Sequence, residues 1–302
     1  MSCSLVTVIC DRDLALYELQ AESICRYLEP GQQIILAINE NDPNKCIGYY
    51  HTTLSKYFKS HFVTIFTKAD FDVVWDQHHK SHYEGWANQQ IIKLIIADKI
   101  VTDYYLVLDS QNFLYREFNL SQVVSNKGQY PYRTSRMVMP NYIWSAYSLN
   151  LNYNRPVPDT DIMSICTPIY FHTNLIKSAI DEHTSIREFS TWFSSLSKIK
   201  SEFIWYYIWA ETHGGIDKYH YCVEIQDDWA QPYLRDSNQF ALDFSQFISQ
   251  LGIHHSHKWA SINHRSWGDM NDQQYIDLIT KLKTFELNPN FDQYRKHYVT
   301  QE

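Results

Sequence analysis

Four short runs of aliphatic, β-branched and aromatic residues, separated by stretches with helical spacing, narrow the folds open to this chain. Leu5–Cys10 (LVTVIC), Gln33–Ile38 (QIILAI), Phe62–Phe66 (FVTIF) and Tyr104–Leu108 (YYLVL) are short and β-rich, and read as buried strands. Between them, Leu14–Leu28 and Glu84–Ile100 repeat apolar residues with a helical period. Pro30-Gly31 stops the first of these, and Leu54–Phe58 reads as a short helix. Strands alternating with helices predict a parallel sheet in an α/β domain. Such sheets bind ligands outside the carboxyl ends of their strands. That rule lines up Cys10–Asp13, Asn39–Asp42 and Asp109–Asn112 along one edge.

Beyond the fourth run the pattern changes. Residues 126–160 are rich in Tyr, Asn, Pro and Arg and show no period. A long irregular stretch inside a domain is usually functional or disordered, and the aromatics argue against disorder. Ile165–Phe171 reads as a strand, Leu175–Ile180 as a short helix, and Ser201–Glu211 as a buried helix closed by His213-Gly214-Gly215. Phe240–Leu251 and Asp272–Phe285 read as amphipathic helices flanking a His-rich loop. No repeat and no linker divides the 302 residues, so one domain with a helical C-terminal segment is expected.

A formal net charge of -8 argues against a nucleic-acid or anionic-membrane surface. The six cysteines form no C-x-x-C pair, which argues against a zinc ribbon and suits buried thiols in a reducing compartment. No run reaches the ~18 apolar residues of a membrane span. The expectation is a soluble cytoplasmic protein, with peripheral placement at the inner membrane face and the oligomeric state left open.

Asp109 poses the sharpest question. Five apolar or aromatic residues lead into a carboxylate followed by Ser110, Gln111 and Asn112. A buried charge costs several kcal/mol unless paired or metal-bound. The acid either caps a turn at a strand end or is delivered to a site. Asp11 and Asp13 follow the first strand, and Asp13 also suits an N-cap before Leu14. Trp86, Gln89 and Lys93 share a helix face, and Lys93 is nearly the only cation of an apolar helix; a snorkelling side chain at the helix edge explains it equally well. Glu202 opens the buried helix, where an acid also complements the helix dipole. His254, His255, His257 and His264 crowd one loop, but without a Cys pair or H-E-x-x-H a dedicated zinc site is not indicated. Tyr130–Asn154 offers aromatic faces, Asn and Arg suited to sugars, or simply a packing loop.

Several stretches together resemble the nucleotide-sugar glycosyltransferases of GT-A fold, and within them a poorly characterised bacterial and viral subgroup. They are "CDRDLALYELQAESI" after the first strand, "GWANQQIIKL" on the helix before the fourth, and "YYLVLDSQNFLYREF" at its end. "CTPIYF", "SEFIWYYIWA" and "INHRSW" follow in the subgroup's order. The resemblance implies a Rossmann-like open mixed sheet flanked by helices. It implies a nucleotide-binding half (1–120), an acceptor half (121–235) and a helical tail (236–302) closing over the site. Cys10 and Asp11 would meet the nucleoside, and Trp86, Gln89, Gln90, Lys93 and Ser110 would face the nucleotide. In that fold the fourth strand usually ends in Asp-x-Asp, whose second acid binds a divalent metal on the donor diphosphate. Here the triplet is Asp109-Ser110-Gln111, so Asp109 and Gln111, with His264 from the tail, are the candidate ligands for Mg²⁺ or Mn²⁺. His264 and Arg265 would meet the diphosphate, and Glu202 would be the base for an inverting enzyme.

The expected activity is transfer of a sugar from a nucleotide-sugar donor to a glycan or lipid-linked acceptor, as in polysaccharide biosynthesis. Two alternatives stand beside it. An inactive relic that binds carbohydrate would explain Gln111. A nucleotidyltransferase would share the layout, but the chain lacks the Gly-rich loop such enzymes place after the first strand.

Overall fold

A computed structural model of the chain describes residues 2–75, 82–135, 162–163, 167–196, 201–223, 233–234, 240–251, 258–262 and 270–287. Strand β1 (Cys3–Ile9) leads through a 3-10 turn at Asp11–Asp13 into helix α1 (Leu14–Tyr27). Strand β2 (Gln33–Ile38) follows, then helix α2 (Asn44–Tyr49), which runs on through tighter and wider turns to Phe58. Strand β3 (Phe62–Thr67), helix α3 (His82–Ile95) and strand β4 (Tyr104–Asp109) complete the alternating half.

The central sheet has the order β3-β2-β1-β4, with β8 (Ile169–His172) added at the far edge. The first four strands are parallel and β8 is antiparallel to β4. The order turns back between β1 and β4, which leaves a crevice above their carboxyl ends. β1 and β2 are buried almost throughout because both faces of the sheet are covered. Alternate residues feed two cores. Val6, Ile35, Tyr105 and Val107 pack under α3 and helix α6 (Glu202–Thr212). Leu5, Ile34, Leu36, Leu106 and Leu108 pack under α1. Each such side chain contributes ~1.5–3 kcal/mol by leaving water, so a one-residue slip of register is strongly opposed.

Two smaller sheets are stitched onto this frame. Strand β5 (Asn112–Leu114) begins just past Asp109 and pairs antiparallel with β11 (Trp259–Ile262), beside β10 (Tyr233–Leu234). β6 (Tyr130–Ser135) lies between β7 (Ile162–Met163) and β9 (His220–Val223). Helices α4 (Thr173–Asp181) and α5 (Ile186–Ser195) pack on the α3 side. Helices α7 (Phe240–Gln250) and α8 (Asp272–Thr284) join Phe113, Tyr115 and the outer face of α1 in a third core. Asn271 caps α8 in a reciprocal capping box with Gln274.

The architecture is the mixed α/β sheet flanked by helices that the strand runs predict. Three local readings change. The helix expected over Glu84–Ile100 ends its α-helical part at Ile95 and finishes as a 3-10 turn. Within the stretch expected to be irregular, Tyr130–Ser135 is a strand. Asp13 occupies the N-cap position of α1 but makes no side-chain cap there; its Oδ2 accepts from the Cys10 thiol at 3.1 Å.

Candidate functional site

Asp109 is the last residue of β4 and pairs in register with Val8 of β1, at the turning point of the strand order. A tight turn fixes it. The Asp109 N–H donates to Asn112 Oδ1 at 2.7 Å, and Gln20 Nε2 on α1 donates to the carbonyls of Asp109 and Asn112 at 2.7 and 2.9 Å. Gln20 is in turn aimed by Thr7 of β1, whose hydroxyl donates to Gln20 Oε1 at 2.7 Å. Thr167 donates to Asp109 Oδ2 at 2.8 Å. The Asp109 side chain stays 27% exposed, open to the crevice.

Behind it lies a buried ion cluster. Lys93 Nζ, on α3, sits 2.9 Å from Asp109 Oδ1 and 2.9 Å from Glu202 Oε1. The side chains of Lys93 and Glu202 are 3% and 1% exposed. The ammonium also lies over the Phe203 ring, 5.0 Å from its centre. The backbone of Lys93 is pinned as well, since its carbonyl accepts from Tyr105 OH at 2.9 Å. Burial disfavours the charge on Lys93, but the two carboxylates outweigh it and hold Lys93 firmly as an ammonium. Burial pushes the Glu202 carboxyl up, against the opposing pull of Lys93. The Lys93–Glu202 contact is a close ion pair without the alignment of a hydrogen bond, and Glu202 Oε2 has no donor among the described residues.

The loop after β1 completes the described edge. The Asp11 N–H donates to Glu40 Oε1 at 2.9 Å, and its carboxylate takes the Cys46 thiol at 3.2 Å and Lys45 at 3.0 Å. Burial pushes the Asp13 carboxyl up, against the Cys10 thiol and Arg12, with the charge of Asp109 adding to the rise. The Cys10 thiol is pushed up to about 12 by burial and then by Asp13, so it is inert as a nucleophile at neutral pH. Asn39 at the end of β2 donates to the Gly85 carbonyl at 2.7 Å, tying the start of α3 to the same edge. The Arg12 guanidinium lies beside Gly85, where a Cβ would meet it at an ordinary contact distance of 3.9 Å. Next to it, Trp86 is 40% exposed.

The structure thus brings Cys10, Asp11, Lys93, Asp109 and Ser110 to one edge and sets Trp86 at its rim. Gln90 is buried and donates to the Trp86 carbonyl within its own helix at 3.2 Å, while Gln89 is half-buried. Two expected roles meet a geometry that opposes them. Lys93 points inward to two carboxylates instead of outward to a nucleotide. Glu202 is enclosed behind Lys93, whereas a base must lie within hydrogen-bond reach of the acceptor hydroxyl. Asn112 is fully buried and shapes the turn. His264 and Arg265 lie outside the described residues, as does the Tyr130–Asn154 stretch beyond Ser135; the described segment before them ends at Ile262, whose N–H donates to the Gln111 carbonyl at 3.3 Å. Sequence reading missed Gln20 and Thr167. Gln20 carried a signal, a polar residue between Leu16, Leu19 and Ser23 on the buried side of α1.

Of the three expected ligands for a divalent cation, Asp109 and Gln111 stand at this edge and His264 lies outside the described residues. Asp109 already holds an ammonium on one oxygen and a hydroxyl on the other, and Gln111 brings a neutral side chain. Among the described residues no group of three His, Cys, Asp or Glu side chains converges for a metal. No described helix is long and apolar enough to cross a membrane.

Solved structures similar to this chain are glycosyltransferases. The apo WbbM bifunctional glycosyltransferase matches with a TM-score of 0.55 and 12% identity, over 98% of this chain and 51% of that one. Apo GlyE of Streptococcus pneumoniae TIGR4 gives 0.49 and 11%, over 100% and 64% of the two chains. Apo mouse xyloside xylosyltransferase 1 gives 0.47 and 6%, over 86% and 97%. The likeness to WbbM shows the fold, of GT-A type, and this chain spans about half of WbbM's length. Residues 8–259 match a family described as one of unknown function, DUF6492. No curated protein matches the sequence.

Proposed function

The chain belongs to DUF6492, a family of unknown function, and from that premise we propose that it is a glycosyltransferase moving a sugar from a nucleotide-sugar donor to a glycan or lipid-linked acceptor. One observation carries the reading: a part-exposed, rigidly held carboxylate, Asp109, stands at the β1–β4 crevice beside the Cys10–Asp13 loop. The fold shared with WbbM supports it. In the reaction an acceptor hydroxyl attacks the sugar carbon as the nucleoside diphosphate leaves. Positive character builds on the sugar and negative charge on the departing phosphate. On this reading the loop after β1 meets the nucleoside, Trp86 offers its face to the base or a sugar, and Asp109 accepts from a donor hydroxyl. The described edge is acidic, so His264 and Arg265 are assigned to the diphosphate. A divalent cation enters only as a companion of the diphosphate.

Calorimetry with UDP-, GDP- and CMP-sugars, each with and without Mn²⁺, tests the proposal. Heat with one base class, lost in Asp109→Ala, is expected. Gln111 favours a second reading, a relic that binds carbohydrate without transfer. Heat from glycans and none from any nucleotide sugar would select the relic.

A further inference from the structure

Glu202 and Lys93 come from different halves of the chain, on α6 and α3, yet they meet in one buried cluster with Asp109. A buried ion pair of this kind is a poor source of stability, since hydrophobic residues of the same volume often do as well or better. The cluster also has a direction. Glu202 is closed off at its inner end, Lys93 bridges, and only Asp109 opens to the crevice. We propose that Glu202 and Lys93 are positioning residues of one relay, in which Glu202 fixes the ammonium and the ammonium, with Thr167, holds Asp109 aimed at a ligand hydroxyl.

The ligand chemistry follows from the acceptor count. An ionised carboxylate offers about four lone-pair sites. Lys93 takes one on Oδ1 and Thr167 one on Oδ2, so the positions left face the crevice and accept only. They suit a ribose or sugar hydroxyl and repel a phosphate oxygen. Among the described residues, the charged groups set against Asp109 include Lys93 from α3, Glu202 from α6 and Asp13 from the first loop. Glu202 therefore acts through Lys93 and does not take the acceptor's proton.

The relay rests on the proposed function only for its ligand, so the test has two arms. Without ligand, the ¹⁵N-detected ammonium signal of Lys93 should shift in Glu202→Gln and again in Asp109→Asn. A signal that ignores Asp109→Asn overturns the bridge. With UDP, GDP and CMP as probes, Lys93→Met should lose both thermal stability and nucleotide binding. The double variant Lys93→Met/Glu202→Gln removes the uncompensated buried carboxylate, so its melting temperature should recover while affinity stays at least about tenfold weak. Wild-type affinity in the folded double variant overturns the relay. Glu202→Gln alone should raise the KM of donor hydrolysis and leave kcat within about tenfold of wild type, as a positioning residue does; a kcat loss beyond about tenfold, toward the 10²–10⁴ cost of deleting a general base, restores the base role. If wild-type protein binds none of the three probes while the ammonium still answers both substitutions, the donor reading falls and the bridge stands.

Discussion

Strand β4 carries a polar cluster at each end, and the two differ in kind. At its first residue, Tyr104 packs against His172, Tyr130 and His220. There the His172 N–H donates to Tyr206 OH at 2.9 Å, which leaves the Tyr206 hydroxyl hydrogen for His220 Nε2 at 2.6 Å. His220 Nδ1 then carries the ring hydrogen and donates to the Tyr130 carbonyl at 3.1 Å. Every group in that chain is neutral and partnered. At the last residue, the cluster is ionic, leaves Glu202 Oε2 without a described donor, and opens Asp109 to the crevice. A satisfied neutral network locks side chains in place. An ionic one costs desolvation and is retained where charge is used. The six residues of this strand thus run from a neutral, fully partnered cluster to an ionic one that is part-exposed.

Lys93→Met breaks this contrast most severely. It strands two carboxylates and should cost about 3–5 kcal/mol in urea denaturation. A cost below that of any change at the neutral end would erase the distinction.

The neutral end should show itself in pH dependence. Burial lowers His220 from 6.5 to about 3, with His172 adding to the fall and the Tyr130 carbonyl opposing it. The unfolded chain therefore binds a proton that the folded chain refuses between those values. The contribution is complete above about pH 6.5 and is lost as pH falls toward 3, at up to about 1.4 kcal/mol per pH unit. Urea stability measured from pH 7 to pH 4 should show this slope, and His220→Gln should flatten it.

Tyr206→Phe sharpens the comparison. It leaves the His172 N–H and His220 Nε2 without their shared hydroxyl and should cost about 1–3 kcal/mol. Nucleotide affinity should not change, because the site is at the other end of the strand. Asp109→Ala should do the reverse: stability within about 1.5 kcal/mol of wild type, since Lys93 keeps Glu202, and transfer abolished.

The contrast also marks what the residues reveal in order. β2 was legible to the residue, and β1 and β4 to within one or two, because strands buried on both faces read as unbroken apolar runs, while β3, a part-exposed edge strand, was legible to within one from its β-branched and aromatic residues. Strands β5, β9 and β11 were not legible. They have three or four residues, and their pairing is set by partners far along the chain, such as Trp259 opposite Leu114. Helix α5 also escaped notice, with Ser and Thr between its Phe and Trp positions. At the site, Asp109 announced itself as a charge ending an oily strand, and Lys93 as a lone cation in an apolar helix. That these two meet, with Glu202 109 positions beyond Lys93, is a tertiary fact without local pattern. The same holds for Thr167, whose hydroxyl reaches Asp109 from 58 positions away.

Strand β5 has a consequence for how the protein is made. It starts three residues after Asp109, yet its antiparallel mate is Trp259–Ile262. During translation, at ~5–20 residues per second, the ribosome releases the acid-bearing turn well before the segment that flanks it. The nascent chain can assemble β1 to β4 early, but this corner stays half-built until β11 arrives. Maturation of the crevice thereby waits on a segment far downstream of the acid it flanks.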